Sequence, residues 1–131
     1  MTKIRIKRVK PKKKPKRSTL KNKCDKMWSE IIRSRGQCEI CGTYKASNPH
    51  HVIGRQNYNL RWDILNGCLL CSNHHTSGRL SAHTDSIWFM EWFKENRQKD
   101  YEHLVKKKNI IWDKDYDKVL EYLREAADEI I

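Results

Sequence analysis

Residues 66–75 read Asn66-Gly67-Cys68-Leu69-Leu70-Cys71-Ser72-Asn73-His74-His75. A turn signal, a short apolar run and a Cys-x-x-His pair follow one another without a gap. The apolar run is too short for a helix and is expected to be a strand. If it is extended, Cys68 and Leu70 share one face and Leu69 points to the other. Upstream, Cys38-Glu39-Ile40-Cys41-Gly42 supplies a second close pair. Two thiolates two residues apart can bind one tetrahedral ion while the amides between them hydrogen-bond to sulfur. Two zinc ligand sets are then open: Cys38, Cys41, Cys68 and Cys71, or Cys38, Cys41, Cys71 and His74. A pair that begins where a strand ends and continues into a turn suits Cys71 and His74 better, which leaves Cys68 as a buried thiol. The chain has 5 cysteines. An odd number, with no apolar stretch after the N-terminal charges to make a secretory signal, argues for metal binding in a reducing compartment over a disulfide framework.

Between the two pairs lies Pro49-His50-His51-Val52-Ile53-Gly54-Arg55. Adjacent histidines on a strand point in opposite directions. One can therefore hold a metal while its neighbour reaches a water. Phosphodiester hydrolysis needs an activated water, a Lewis acid and a cation near the developing charge. A histidine of near-neutral pKa is a suitable base, and Arg55 could clamp a phosphate oxygen.

His50-His51, Asn66 and His75 together resemble the HNH, or ββα-metal, nuclease motif. Asn66 stands fifteen residues after His51, and His75 nine after Asn66. The stretch 66–75, with Cys38-x-x-Cys41-Gly42 upstream, is similar to the zinc-stapled branch of that family. The resemblance implies structural Zn²⁺ on Cys38, Cys41, Cys71 and His74. It implies His50 and His75 as ligands of a catalytic divalent ion, Mg²⁺ or Mn²⁺. It implies His51 as general base, and Asn66 as the side chain that braces the loop between the strands and so orients the base. Relatives often carry a third ligand four residues after the last motif histidine; here that position is Arg79, which cannot bind a metal. His83 could supply the ligand if its segment bends back, or could contact substrate instead. The segment from His51 to His83 is also similar to small phage-encoded nucleases linked to recombination. The implied reaction is metal-dependent DNA cleavage, by nicking, that leaves 5′-phosphate and 3′-hydroxyl ends.

Charge points to the same partner. The net charge is +12, yet residues 1–17 hold ten of the 28 Lys and Arg and no acid. This Lys- and Pro-containing segment is expected to be a disordered tail that binds phosphates by counterion release, through Lys12, Lys13, Lys14, Lys16 and Arg17, with Arg55 adding a contact. Residues 18–131 are expected to form a single domain. Helical spacing covers 20–35, capped by Ser18 or Thr19 and ended by Gly36, with Cys24 on the apolar face as a core residue. Strands are expected around Val52-Ile53 and Leu69-Leu70, joined by a long loop, with a turn at Asn48-Pro49. Further helices are expected over 86–97, well buried on most faces, over 100–107, with His103 structural, and over 115–131. The fold class is therefore α+β: a small ββα-metal motif with a Cys3His zinc site, packed among several helices. No apolar run suits a membrane span, and a cytoplasmic, nucleoid-associated location in a bacterial or phage-infected cell is expected. Two other readings remain open from sequence. One is a zinc module that binds DNA or RNA without catalysis. The other is an adaptor that presents the aromatic helix around 87–93 to a partner protein.

Overall fold

The computed structural model describes residues 16–130. Lys12, Lys13 and Lys14 lie outside them. The order of regular elements is α1 (Arg17–Arg33), β1 (Ala46–His51), β2 (Gly67–Cys71), α2 (Ser86–Asn96), α3 (Gln98–Lys107) and α4 (Tyr116–Asp128). The architecture is α+β, with one two-stranded antiparallel ribbon among helices. None of the described helices is long and apolar enough to cross a membrane.

The ribbon is the partition of the molecule. Its register pairs Pro49 with Leu69, His50 with Cys68 and His51 with Gly67. β2 is buried at every position, and successive side chains go to opposite sides. Cys68 and Leu70 join a core with Phe89 and Phe93 of α2 and Leu104 of α3. Leu69 joins a second core with Trp28, Ile31 and Ile32 of α1 and Leu120 and Leu123 of α4. Helices thus cover both faces of the ribbon, which lets so short a sheet stand at the centre of the fold.

Several boundaries differ from the sequence reading, each for a local reason. α1 begins at Arg17, not beyond it, and its N-cap is Lys16, without a side-chain bond; Ser18 and Thr19 lie inside the first turn. Lys16 and Arg17 are exposed there, so Arg17 belongs to a helix and not to a tail. The first strand is Ala46–His51, ahead of Val52-Ile53. Asn48-Pro49 sits inside it opposite Leu70 and Leu69, not in a turn. A proline is tolerated because β1 is an edge strand and its missing N–H need face no partner. α2 is less enclosed than its composition suggests: Phe89 and Phe93 are buried, but Ile87 is 74% exposed. The segment after β2 is a single π-helical turn, Asn73–Ser77, and not a longer helix.

Polar clamps fix the ends of the ribbon. Arg35 donates to the carbonyls of Ile64 and Gly67, and Arg97 to those of Leu65 and Gly67. Glu39 lies between the two arginines and pairs with both. It also accepts the Leu69 N–H. Gly67 opens β2 where α1 presses closest. A Cβ there would overlap the Ile32 side chain and touch the Trp28 ring. Gly67→Ala is therefore expected to lower stability by about 1–3 kcal/mol through overpacking. A urea titration reads this as a lower midpoint, and an unchanged midpoint would contradict the close approach of α1.

Candidate functional site

Two groups of metal-ligating side chains lie side by side. The first is Cys38, Cys41, Cys71 and His74, whose ligand atoms all lie within 4.8 Å of one another. The loop 38–43 is closed by bonds from Cys38 N–H to the Thr43 carbonyl and from Gly42 N–H to the Cys38 carbonyl. Gly42 takes φ +76°, which the turn requires. Cys71 Sγ lies 3.8 Å from Cys41 Sγ and 3.3 Å from His74 Nδ1, and Cys38 Sγ lies 3.9 Å from His74 Nδ1. With Zn–S near 2.3 Å and Zn–N near 2.0 Å, tetrahedral edges come to about 3.8 Å and about 3.5 Å. The four side chains fit an ion such as zinc in spacing and in chemistry. Burial opposes ionisation of the Cys38 thiol, but amide hydrogen bonds from Cys41, Cys71 and Ile40 outweigh it and hold its pKa below the ordinary thiol value. That direction favours the thiolate, the form in which cysteine binds a metal.

Cys68 is not in this group. It is fully buried beneath α2 and α3, and burial, reinforced by the charge of Glu39, pushes its thiol pKa far up. Of the two ligand sets left open by sequence, the structure assembles the one with His74. Cys24 is likewise a core thiol, pushed up to about 11 by burial.

The second group is His50, His75 and His83, whose ring nitrogens lie within 4.8 Å of one another. His50 projects from β1 on the α2 side, its ring edge-on to Phe89. His75 is the neighbour of His74 on the turn Asn73–Ser77, so one turn feeds both groups. His83 is brought in because its segment folds back: Ala82 N–H bonds the His74 carbonyl and His83 N–H the His75 carbonyl. Gly78 makes this return possible, since a Cβ there would meet Asn73 Oδ1 at 2.5 Å. His83 Nε2 then lies 3.0 Å from His75 Nε2. Two nitrogens bound to one ion at about 2.1 Å and at right angles would be about 3.0 Å apart. His50 is pushed down to about 3, first by burial and then by the neighbouring imidazoles. Burial and His83 lower His75 as well. Neutral imidazoles are the ligand form. Arg79, in the position where relatives of the resembled family carry a ligand, is exposed.

His51 lies on the opposite face of β1. Its ring stacks on Trp28 of α1, with centroids 3.9 Å apart and planes within 12°. Its Nε2 is 3.0 Å from the Arg61 carbonyl. A carbonyl only accepts, so Nε2 carries the proton and Nδ1 keeps its lone pair. Burial, helped by the nearby Arg55 and Arg61 charges, pushes its pKa down to about 4, below the near-neutral value that the sequence reading assumed for a base, so the ring is neutral near pH 7. Asn66 is fully buried. Its side chain accepts from Ile53 N–H and donates to the carbonyls of Ile53 and Leu60. It therefore ties both ends of the loop 52–66 together, next to the carbonyl that holds His51.

His50, His51, His75 and His83 line a single cleft of about 530 Å³, with Arg33, Arg55 and Asp25 on its walls. Arg55 is exposed at this cleft, 3.8 Å from Asp25 Oδ2. Sequence reasoning missed Asp25 and Trp28, which line the cleft from α1, and Arg61, whose carbonyl holds His51. His103 pairs with Asp63 at 2.6 Å, away from the cleft.

Comparison of the chain with family models, with curated proteins and with solved structures gives no match in any of the three. For the first group, Cys71→Ser is expected to lose one tightly held ion, while Cys68→Ala keeps it. Metal content of the purified variants, measured by mass spectrometry of the elements, checks both. Equal loss in the two would return the four-cysteine set.

Proposed function

We propose that the chain is a metal-dependent endonuclease that hydrolyses DNA phosphodiester bonds at an HNH-type, ββα-metal site, with zinc on the Cys3His group holding the fold. The observation that supports it best is the division of labour around one cleft. Three imidazoles converge on one side of β1. On the other side a neutral imidazole keeps a free Nδ1, with its proton fixed on Nε2 by a backbone carbonyl. A simple binding module has no need of this arrangement. In place of the helix expected after the second strand stands the short turn Asn73–Ser77, which carries His75 into the cleft.

In this reading the scissile phosphate enters the cleft against Arg55 and Arg33. His51 Nδ1 takes a proton from a water, whose oxygen attacks phosphorus in line with the 3′ oxygen. The P–O3′ bond breaks, leaving a 5′-phosphate and a 3′ oxygen that takes a proton from solvent. An ion on His50, His75 and His83 would supply Lewis-acid stabilisation of the phosphate and the departing oxygen. The group offers nitrogen donors only. Oxygen ligands suit both Mg²⁺ and Mn²⁺ better than imidazole does; of these two ions expected from sequence, Mn²⁺, a transition-metal ion, accepts imidazole more readily. DNA affinity would come from phosphate contacts by Lys16, Arg17, Arg33, Arg55 and the N-terminal cations, and would fall steeply with salt.

Supercoiled-plasmid cleavage tests the reading. Nicking is expected with Mn²⁺, more slowly with Mg²⁺, and not in EDTA. His51→Ala should slow it by about 10²–10⁴-fold, the usual contribution of a general base, while the protein stays folded at the assay temperature despite a lower melting point from loss of the stack on Trp28. Binding without cleavage in every ion, on linear and branched DNA too, would instead favour a zinc-stapled nucleic-acid-binding module.

A further inference from the structure

Asp25 stands on α1, outside every part of the metal groups, yet it reaches the wall of the cleft. Its carboxylate receives Arg61 in two-pronged fashion, Nε to Oδ1 at 2.9 Å and Nη2 to Oδ2 at 2.8 Å. Trp62 Nε1 donates to the same Oδ1 at 2.8 Å. The Arg61 side chain is only 6% exposed, and its Nη1 also holds the Arg55 carbonyl. Such a planar, charge-assisted pair fixes orientation as well as position. The Arg61 backbone is thus pinned from its own side chain, and its carbonyl is the group that holds His51 Nε2. Trp28, three residues along α1, supplies the stacked ring behind His51.

A carboxylate on the wall of a phosphate-binding cleft is electrostatically costly. It repels the substrate and occupies Arg55, which lies 3.8 Å from Oδ2. A purely structural tie between α1 and the loop would not need to be placed there. We propose that Asp25 is a positioning residue, which fixes the tautomer and orientation of the base His51 through Arg61 and holds Arg55 at the cleft until a phosphate displaces it. The proposal rests on the nuclease reading for its kinetic consequence but not for its structural one.

The test joins two readouts on the zinc-loaded full chain. The first is the side-chain ¹⁵N spectrum of His51, recorded without DNA. The native protein should show the Nε2–H tautomer. Asp25→Asn should give mixed tautomers or a displaced ring, and Asp25→Glu should restore part of the native signal. The second is the kinetics of plasmid nicking. For Asp25→Asn, kcat should fall by tenfold or more while KM for DNA stays level or falls, because a repelling charge is gone and Arg55 is released. A structural lesion would instead lower activity in step with the folded fraction, which thermal melting reads. If Asp25→Asn does not fold, Arg61→Lys carries the same two measurements. A native Nε2–H tautomer that is untouched in the folded variants overturns the proposal, as does a kcat equal to the native value. If the native protein does not cut DNA at all, the nuclease reading fails, and the tautomer spectrum still decides the role of Asp25.

Discussion

The pairing of Ala46–His51 with Gly67–Cys71 is the constraint on which everything else in this chain depends. A two-stranded ribbon cannot stand alone in water, because it buries too little on either face. Here both faces are covered by helices, so the alternation of Cys68, Leu69 and Leu70 divides the molecule into two cores. The same alternation sets the chemistry. With His50 and His51 adjacent on one strand, one imidazole must face the α2 side and the other the α1 side. A slip of one residue would exchange them, and the register is held by Leu69 on one face and Cys68 and Leu70 on the other.

Charge is used sparingly inside this frame, and always with several partners. Glu39 sits inside the cysteine loop and joins Arg35, Arg97 and the Leu69 amide, so the first ligand pair is tied directly to β2. Asp25 gathers Arg61, Trp62 and Arg55 at the cleft. Burial raises the energy of its charged form, yet the hydrogen bonds and charge of Arg61, with the Trp62 N–H, more than offset this and keep its pKa below the usual carboxylate value. Partly buried charges are costly unless fully paired, and each of these is bonded to more than one donor.

The turn Asn73–Ser77 couples the two metal-ligating groups more closely than sequence spacing alone conveys. His74 and His75 are joined by one peptide bond, and one belongs to each group. Their carbonyls then receive the amides of Ala82 and His83, which carries the third imidazole into place. Ordering of the cysteine group therefore orders the histidine group as well, through backbone that neither can move without the other. An ion held by the cysteine group would therefore take a direct part in shaping the neighbouring cleft.

Spacing along the chain was enough to reveal the two close ligand pairs, the opposed faces of His50 and His51, a strand around Leu69-Leu70 and the helices with strong 3.6-residue periodicity. These rest on local rules: period-2 alternation, ligand spacing and apolar stripes. Resemblance supplied the bracing position of Asn66, and the structure gives that side chain three hydrogen bonds across the loop. What local rules do not encode was decided by tertiary contact. β1 reads as polar and proline-containing, and it is a strand only because β2 offers a ladder to pair with. His83 joins His50 and His75 only because its segment folds back over eight residues past a glycine that permits the approach. Cys68 shares a core with Cys38 and Cys71, yet packing against Phe89, Phe93 and Leu104 leaves its thiol outside the cluster of ligand atoms. Asp25, Trp28 and Arg61 carry no motif at all, since a side chain that acts through another element is visible only once packing has set the two elements side by side.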